Sequence, residues 1–179
     1  MPQVHDRVDA QVFYADAFIG LMIFLAAVVV FFLVSPNSSS PESRILDALV
    51  ADAKSISASL MSEGTPANWT PDNVSIIGLT DGSYRVNYAK VSMFYGLSYN
   101  LTNNLFGTNV NYLIFFKDKD GNVLAFDRCA FSNAGIVVQN IAPFICENVT
   151  APAATNLVGL ERLAFYNSGI IKLVVYVWV

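Results

Sequence analysis

The chain is poor in the side chains that carry solution chemistry. It has one histidine, His5, and two cysteines among 179 residues. A single imidazole leaves no set of His ligands for a metal and little scope for an imidazole base. Charged residues make up 13% of the chain, well below the usual share of about 25%. The ten Lys and Arg are scattered against 14 Asp and Glu, for a net charge of -4, and no basic stripe forms. Nucleic acid therefore has no electrostatic footprint here. There is no Gly-rich phosphate loop, no Cys-x-x-Cys pair and no obvious carboxylate dyad. Gly96-Leu97-Ser98-Tyr99-Asn100 lacks the closing glycine of a nucleophile elbow. Asp118-Lys119-Asp120-Gly121-Asn122 begins like a calcium loop, but Val123 stands where that loop needs Gly and Cys129 where it needs Glu. Hairpin turn chemistry accounts for the stretch better. The expectation is a protein that is not an enzyme and holds no cofactor or metal.

What the chain has in excess is apolar residues, 54% of the total, concentrated near the N-terminus. From Ala17 to Val34 there is no charge, proline or asparagine. As a helix the run from Gln11 spans roughly 36 Å at about 1.5 Å per residue, enough for a hydrocarbon core of about 30 Å. A removable secretory signal would have a basic start and a shorter apolar run. Here Arg7 is offset by Asp6 and Asp9, and Leu33-Val34-Ser35 is a poor cleavage site. The run reads as a transmembrane helix with membrane lipid as its partner. One carboxylate, Asp16, sits near its start. An unpaired charge in lipid costs at least about 2.5–3.5 kcal/mol, so intramembrane acids are kept for a partner or held among headgroups.

Asn-x-Ser/Thr occurs at Asn37, Asn68, Asn73, Asn100 and Asn148, all after the apolar run. That favours an exterior, glycosylated domain, against the plainer reading of a polar surface rich in Asn, Ser and Thr. Cys129 and Cys146 agree with an exterior side. A bridge between them closes a loop of about 17 residues and contributes roughly 3 kcal/mol, and two buried thiols are the alternative.

The order of elements follows from periodicity. Ser35 to Pro41 punctuates the chain as a joint. Ile45, Leu46, Leu49, Val50, Ala53, Ile56, Leu60 and Met61 recur at steps of three and four, which predicts an amphipathic helix from Pro41 or Glu42, capped by Ser40, to near Gly64. A first strand is expected at 74–79. Short helices are expected at 88–97 and 99–106, the second closed by Gly107. Strands at 112–116 and 123–126 flank the Asp118–Asn122 turn, a further strand falls at 135–139, and a last hairpin joins 160–165 to 170–179 around Asn167-Ser168-Gly169. In Leu173 to Val179 both alternating faces are apolar, as in a strand covered on both sides. The expected fold class is α+β: a transmembrane helix, then an amphipathic helix packed on an antiparallel β-sheet. The expected organisation is a cytoplasmic leader at 1–10, an apolar helix at 11–34, a joint at 35–41 and an extracellular head at 42–179.

The leader, Ala10-Gln11, an acid soon after and a long apolar helix leading to a sheet domain together resemble an archaeal type IV pilin-like protein of the class III signal peptide type. The stretch from Ser59 to Phe116, with Met61 to Trp69 and Ile77 to Thr80 within it, is similar to an exterior module carried by such proteins. The resemblance implies that a prepilin peptidase cuts between Ala10 and Gln11 and that the helix serves first as anchor and then as filament core. It also implies other pilin-like subunits as partners, with Asp16 meeting the new amine on Gln11 of a neighbour. A mispaired register would leave a charge in hydrocarbon, at a cost of several kcal/mol. The function it implies is a structural subunit, minor or accessory, of a surface filament involved in cell adhesion. The alternative is a single-pass, membrane-anchored exterior binding or envelope module that never polymerises. An anchored hydrolase using two distant acids in a cleft is a third reading.

Overall fold

The computed structural model describes residues 5–34, 41–132, 146 and 149–179. The chain divides into two compact units, Met1–Ser40 and Pro41–Val179. The first holds one helix, α1 (His5–Val34). It begins earlier than the apolar run, so the Ala10–Gln11 bond lies inside it.

The second unit is α+β. Its elements are α2 (Pro41–Leu60), α3 (Tyr88–Gly96), α4 (Tyr99–Phe106), β1 (Asn111–Lys117), β2 (Val123–Leu124), β3 (Phe131–Ser132), β4 (Leu157–Tyr166) and β5 (Gly169–Trp178). The sheet is antiparallel in the order β2-β1-β5-β4, and β3 also pairs with β1. β5 is central: Leu113 faces Tyr176 on one side, and Gly159 faces Tyr176 on the other. The β4–β5 hairpin turns in two residues, Asn167 and Ser168, both with positive φ, the geometry that matches strand twist.

Both faces of the sheet are covered around β5. On the first face Tyr112, Ile114, Phe116, Leu173, Val175 and Val177 pack with Leu49, Ala53, Ile56 and Leu60 of α2 and with Phe94 of α3. On the second face Leu113, Phe115 and Val174 pack with Ala130 and the half-buried Val149. The doubly apolar run at 173–177 is therefore a strand covered on both sides. α2 lies against β4 and β5. Its buried stripe is narrower than the periodic set, since Ile45 and Leu46 remain exposed.

Two expectations need correction. The stretch 74–79 is not a strand of the sheet. Its backbone is committed to the end of α2: Leu79 N donates to Leu60 O (2.8 Å) and Thr80 N donates to Ser62 O (3.1 Å). Ile77 O accepts from Ser59 Oγ (2.8 Å) and Gly78 O accepts from Trp69 Nε1 (2.8 Å). A strand cannot give the same groups to a ladder. The second strand of the 112–126 hairpin stops at Leu124, because Phe126 and Arg128 turn tightly on each other around Asp127, which has φ 55°. The expected strand at 135–139 and the Ser40 cap lie outside the described residues.

Gly78 is the point of closest approach. A Cβ there would stand 2.2 Å from Gly64 N and 2.5 Å from Ser62 O. The atoms it meets are backbone, which cannot swing aside. Gly78→Ala should therefore lower stability by about 3 kcal/mol, through overpacking and loss of the α2 junction. Thermal unfolding of the variant checks this, with Gly96→Ala, which meets nothing within 4 Å, as the comparison.

Candidate functional site: the apolar helix and the exposed sites of the head

α1 is the feature with a chemistry of its own. Asp16–Leu33 is long and apolar enough to cross a membrane, and none of it is buried within the chain. Phe18, Leu21, Met22, Ile23, Phe24, Phe31 and Phe32 are all exposed. Such a helix is compatible with membrane anchoring or with a signal sequence. Asp16 is exposed at the start of that span, eleven residues after His5, so the helix continues well before the acid.

The sequons of the head differ in their surroundings. Asn68 is exposed in the loop after α2, next to the buried Trp69. Asn73 is exposed in a turn where its own Oδ1 accepts from Thr70 N (2.6 Å). Asn100 is exposed but lies in the first turn of α4, not in a loop. Its partner hydroxyl, on Thr102, is fully buried and donates to Tyr99 O at 2.9 Å, beside the Tyr112 hydroxyl. Asn37 and Asn148 lie outside the described residues.

Cys129 and Cys146 are joined as a disulfide, with Cα atoms 5.4 Å apart. Cys129 is fully buried next to Ala130, which packs on the second face of the sheet. The bridge thus holds a second part of the chain close to the segment covering that face.

The Asp118–Asn122 loop is a turn in which the carboxylate serves the backbone. Asp118 Oδ1 accepts from Asp120 N (2.8 Å) and Asn122 N (2.9 Å), and Oδ2 accepts from Asn122 Nδ2 (3.0 Å). Gly121 takes φ 91°. Among the described residues no group of three or more His, Cys, Asp or Glu is placed to hold a metal.

A cleft of about 370 Å³ is lined by Glu63, Asn68, Trp69, Asp81, Asn87 and Lys90, among others. Most of its polar groups are committed to backbone. Lys90 Nζ donates to Glu63 O (2.7 Å) and Thr80 O (3.0 Å). Asp81 Oδ1 accepts from Ser83 N, and Asn87 Oδ1 caps α3 by accepting from Ala89 N and Lys90 N. Its chemistry is that of a joint between loops. Sequence reasoning passed over Lys90 and Gly78. An isolated glycine inside the apolar run Ile76-Ile77-Gly78-Leu79 was a readable sign of close backbone approach. Nothing local distinguishes Lys90 from a surface lysine.

Comparison with family models, with curated proteins and with solved structures gives no match for this chain.

Three carboxyls of the head are held below the usual carboxylate range. For Asp118 the main cause is the hydrogen bond from the Asn122 side chain. For Asp81 it is the bond from Ser83 N. For Asp127 it is the bond from the Ser92 hydroxyl, followed by that from Tyr88. A lowered folded pKa contributes stability that is present above the unfolded value, near pH 4, and is lost as pH falls through the folded value. The melting temperature should hold steady down to about pH 5 and fall below about pH 4. Asp118→Asn should flatten that fall, as read by thermal melts across pH.

Proposed function

We propose that this chain is a minor or accessory subunit of a type IV pilus-like surface filament, anchored in the membrane by α1 with the second unit outside the cell. The observation that carries the reading is α1 itself. It is a thirty-residue helix with apolar side chains exposed all along its span and a single acid, Asp16, at the start of that span. A helix apolar all round needs lipid or other apolar helices about it. An acid inside such surroundings needs a counter-charge to offset several kcal/mol of desolvation. A cut before Gln11 would supply that charge as a new amine on a neighbouring subunit. α2 lying against an antiparallel sheet, the disulfide and the exposed Asn68 and Asn73 are in keeping with an exported head.

One observation favours the second reading, an anchored exterior module that does not polymerise. The Ala10–Gln11 bond lies within α1, so a peptidase could reach it only after local unwinding. The two readings part on the N-terminus of the mature protein and on Asp16. On the filament reading, mass spectrometry of protein isolated from piliated cells gives a chain beginning at Gln11. Asp16→Asn then lowers surface filaments at least about tenfold, while the amount in the membrane stays level. An intact Met1 in such cells, or filaments indifferent to Asp16→Asn, leaves the anchored module as the answer.

A further inference from the structure

Among the described residues the sheet ends at β4, and the far edge of that strand is open over a defined stretch. Phe165 N donates to Tyr84 O (2.9 Å), so the N–H of Phe165 points away from β5. By strand alternation the N–H groups of Leu157, Gly159, Glu161 and Leu163 point the same way. Among the described residues no strand pairs with them; β4 has its ladder with β5 alone, plus the single bridge from Arg85 to Phe165. Unpaired strand edges are templates for another strand, and proteins usually blunt them with proline, bulges or charges aimed along the edge. β4 has no proline and pairs with β5 in unbroken register from Leu157 to Tyr166. Its two charges point to opposite faces and are engaged within the chain. Glu161 pairs with Lys172 at 3.1 Å, and Arg162 Nε donates to Ser57 Oγ at 3.4 Å.

We propose that two copies of this chain join edge to edge through β4, in antiparallel pairing about a two-fold axis at Leu160. The length of the open stretch selects the partner. It runs from Leu157, where the strand begins, to Leu163, beyond which Tyr84–Val86 already occupies the edge. A two-fold at its midpoint, Leu160, lays this stretch on its own copy and stops at Tyr84–Val86 on both sides. Leu157 then bonds to Leu163 of the second copy, and Gly159 to Glu161. Charge selects the register. A two-fold at Glu161 or at Arg162 would set like charges directly opposite each other, which destabilises a strand pair. At Leu160 neither charge faces its own kind. The pairing also covers Leu163, 65% exposed in the single chain, with Leu157 of the second copy on the same face. Neither α1 nor Asp16 takes part, so the proposal stands apart from the filament reading.

The test uses full-length protein in detergent micelles. Light scattering corrected for detergent should give two chains per particle at tens of micromolar. Leu160→Cys should cross-link to itself on oxidation, since a non-hydrogen-bonded antiparallel pair sets the Cα atoms about 4.5 Å apart, within disulfide reach. Both native cysteines are already bonded to each other, so the new thiol is the reactive one. Val158→Cys should not cross-link, because in this register it faces Arg162 of the second copy. Glu161→Pro removes an outward N–H without touching the β4–β5 ladder and should weaken pairing at least about tenfold, with circular dichroism unchanged. One chain per particle overturns the proposal. So does equal cross-linking by Leu160→Cys and Val158→Cys. A folded Glu161→Pro dimer as tight as the parent does the same, because pairing of α1 inside the micelle would behave that way.

Discussion

The head depends on how the last turn of α2 ends. A helix leaves its final carbonyls without intrahelical partners, and burying them unpaired would cost a kcal/mol or more each, by rough reckoning. Here α2 ends at Leu60, whose O takes Leu79 N, and the three residues after it are held the same way: Met61 O takes the Thr80 hydroxyl, Ser62 O takes Thr80 N, and Glu63 O takes the Lys90 ammonium. Lys90 is almost fully buried, and a cation at a helix C-terminus also complements the negative end of the helix dipole. One side chain of α3 and one short extended segment therefore finish α2. Since α2 covers the first face of β4 and β5, the same bonds set where that cover sits.

Trp69 and the glycines complete this junction. Its indole is buried and donates to Gly78 O, and a Cβ on Gly64 would come within 2.7 Å of the ring. The loop from Thr65 to Pro71 is thereby held by one large side chain inserted under it. On the other side of the sheet the cover is thinner among the described residues. Ala130 and Val149 lie over Leu113, Phe115 and Val174, and Cys129 ties this region to Cys146. A large hydrophobic layer secures one face, and a covalent staple secures part of the other. A third glycine works in the same way at the sheet edge: Tyr176 lies against Gly159, whose absent side chain leaves room for the ring.

How much of this was legible beforehand differs by element. α3 and α4 were readable because their caps are local: Asn87 and Ser98 accept from the first-turn amides, and Gly107 takes φ 66° as a left-handed end. β1 and the β4–β5 hairpin were readable from apolar runs flanking turn residues. The 74–79 segment was misread because its apolar, β-branched texture suits any extended chain. Only the position of α2 decides that its hydrogen bonds go to a helix end and not to a ladder. β3 is two residues long, too short to leave a pattern. Of the site residues, the apolar helix and the sequon positions were plain in the text of the chain. Asn100 falls in the helix expected at 99–106, while the burial of its partner hydroxyl on Thr102 followed from packing against Tyr112, a contact ten residues away.

The amino-acid order alone determined an uninterrupted apolar helix with one acid in it, an α+β head of mainly antiparallel strands, and a chain with almost no imidazole or thiol chemistry. These are statements about composition and period, which neighbouring residues carry by themselves. The tertiary structure alone decided which carbonyls Lys90 satisfies, where two glycine backbones touch, and which edge of the sheet is open among the described residues. Those depend on residues distant in the chain meeting in space, and no local pattern names both partners of such a meeting.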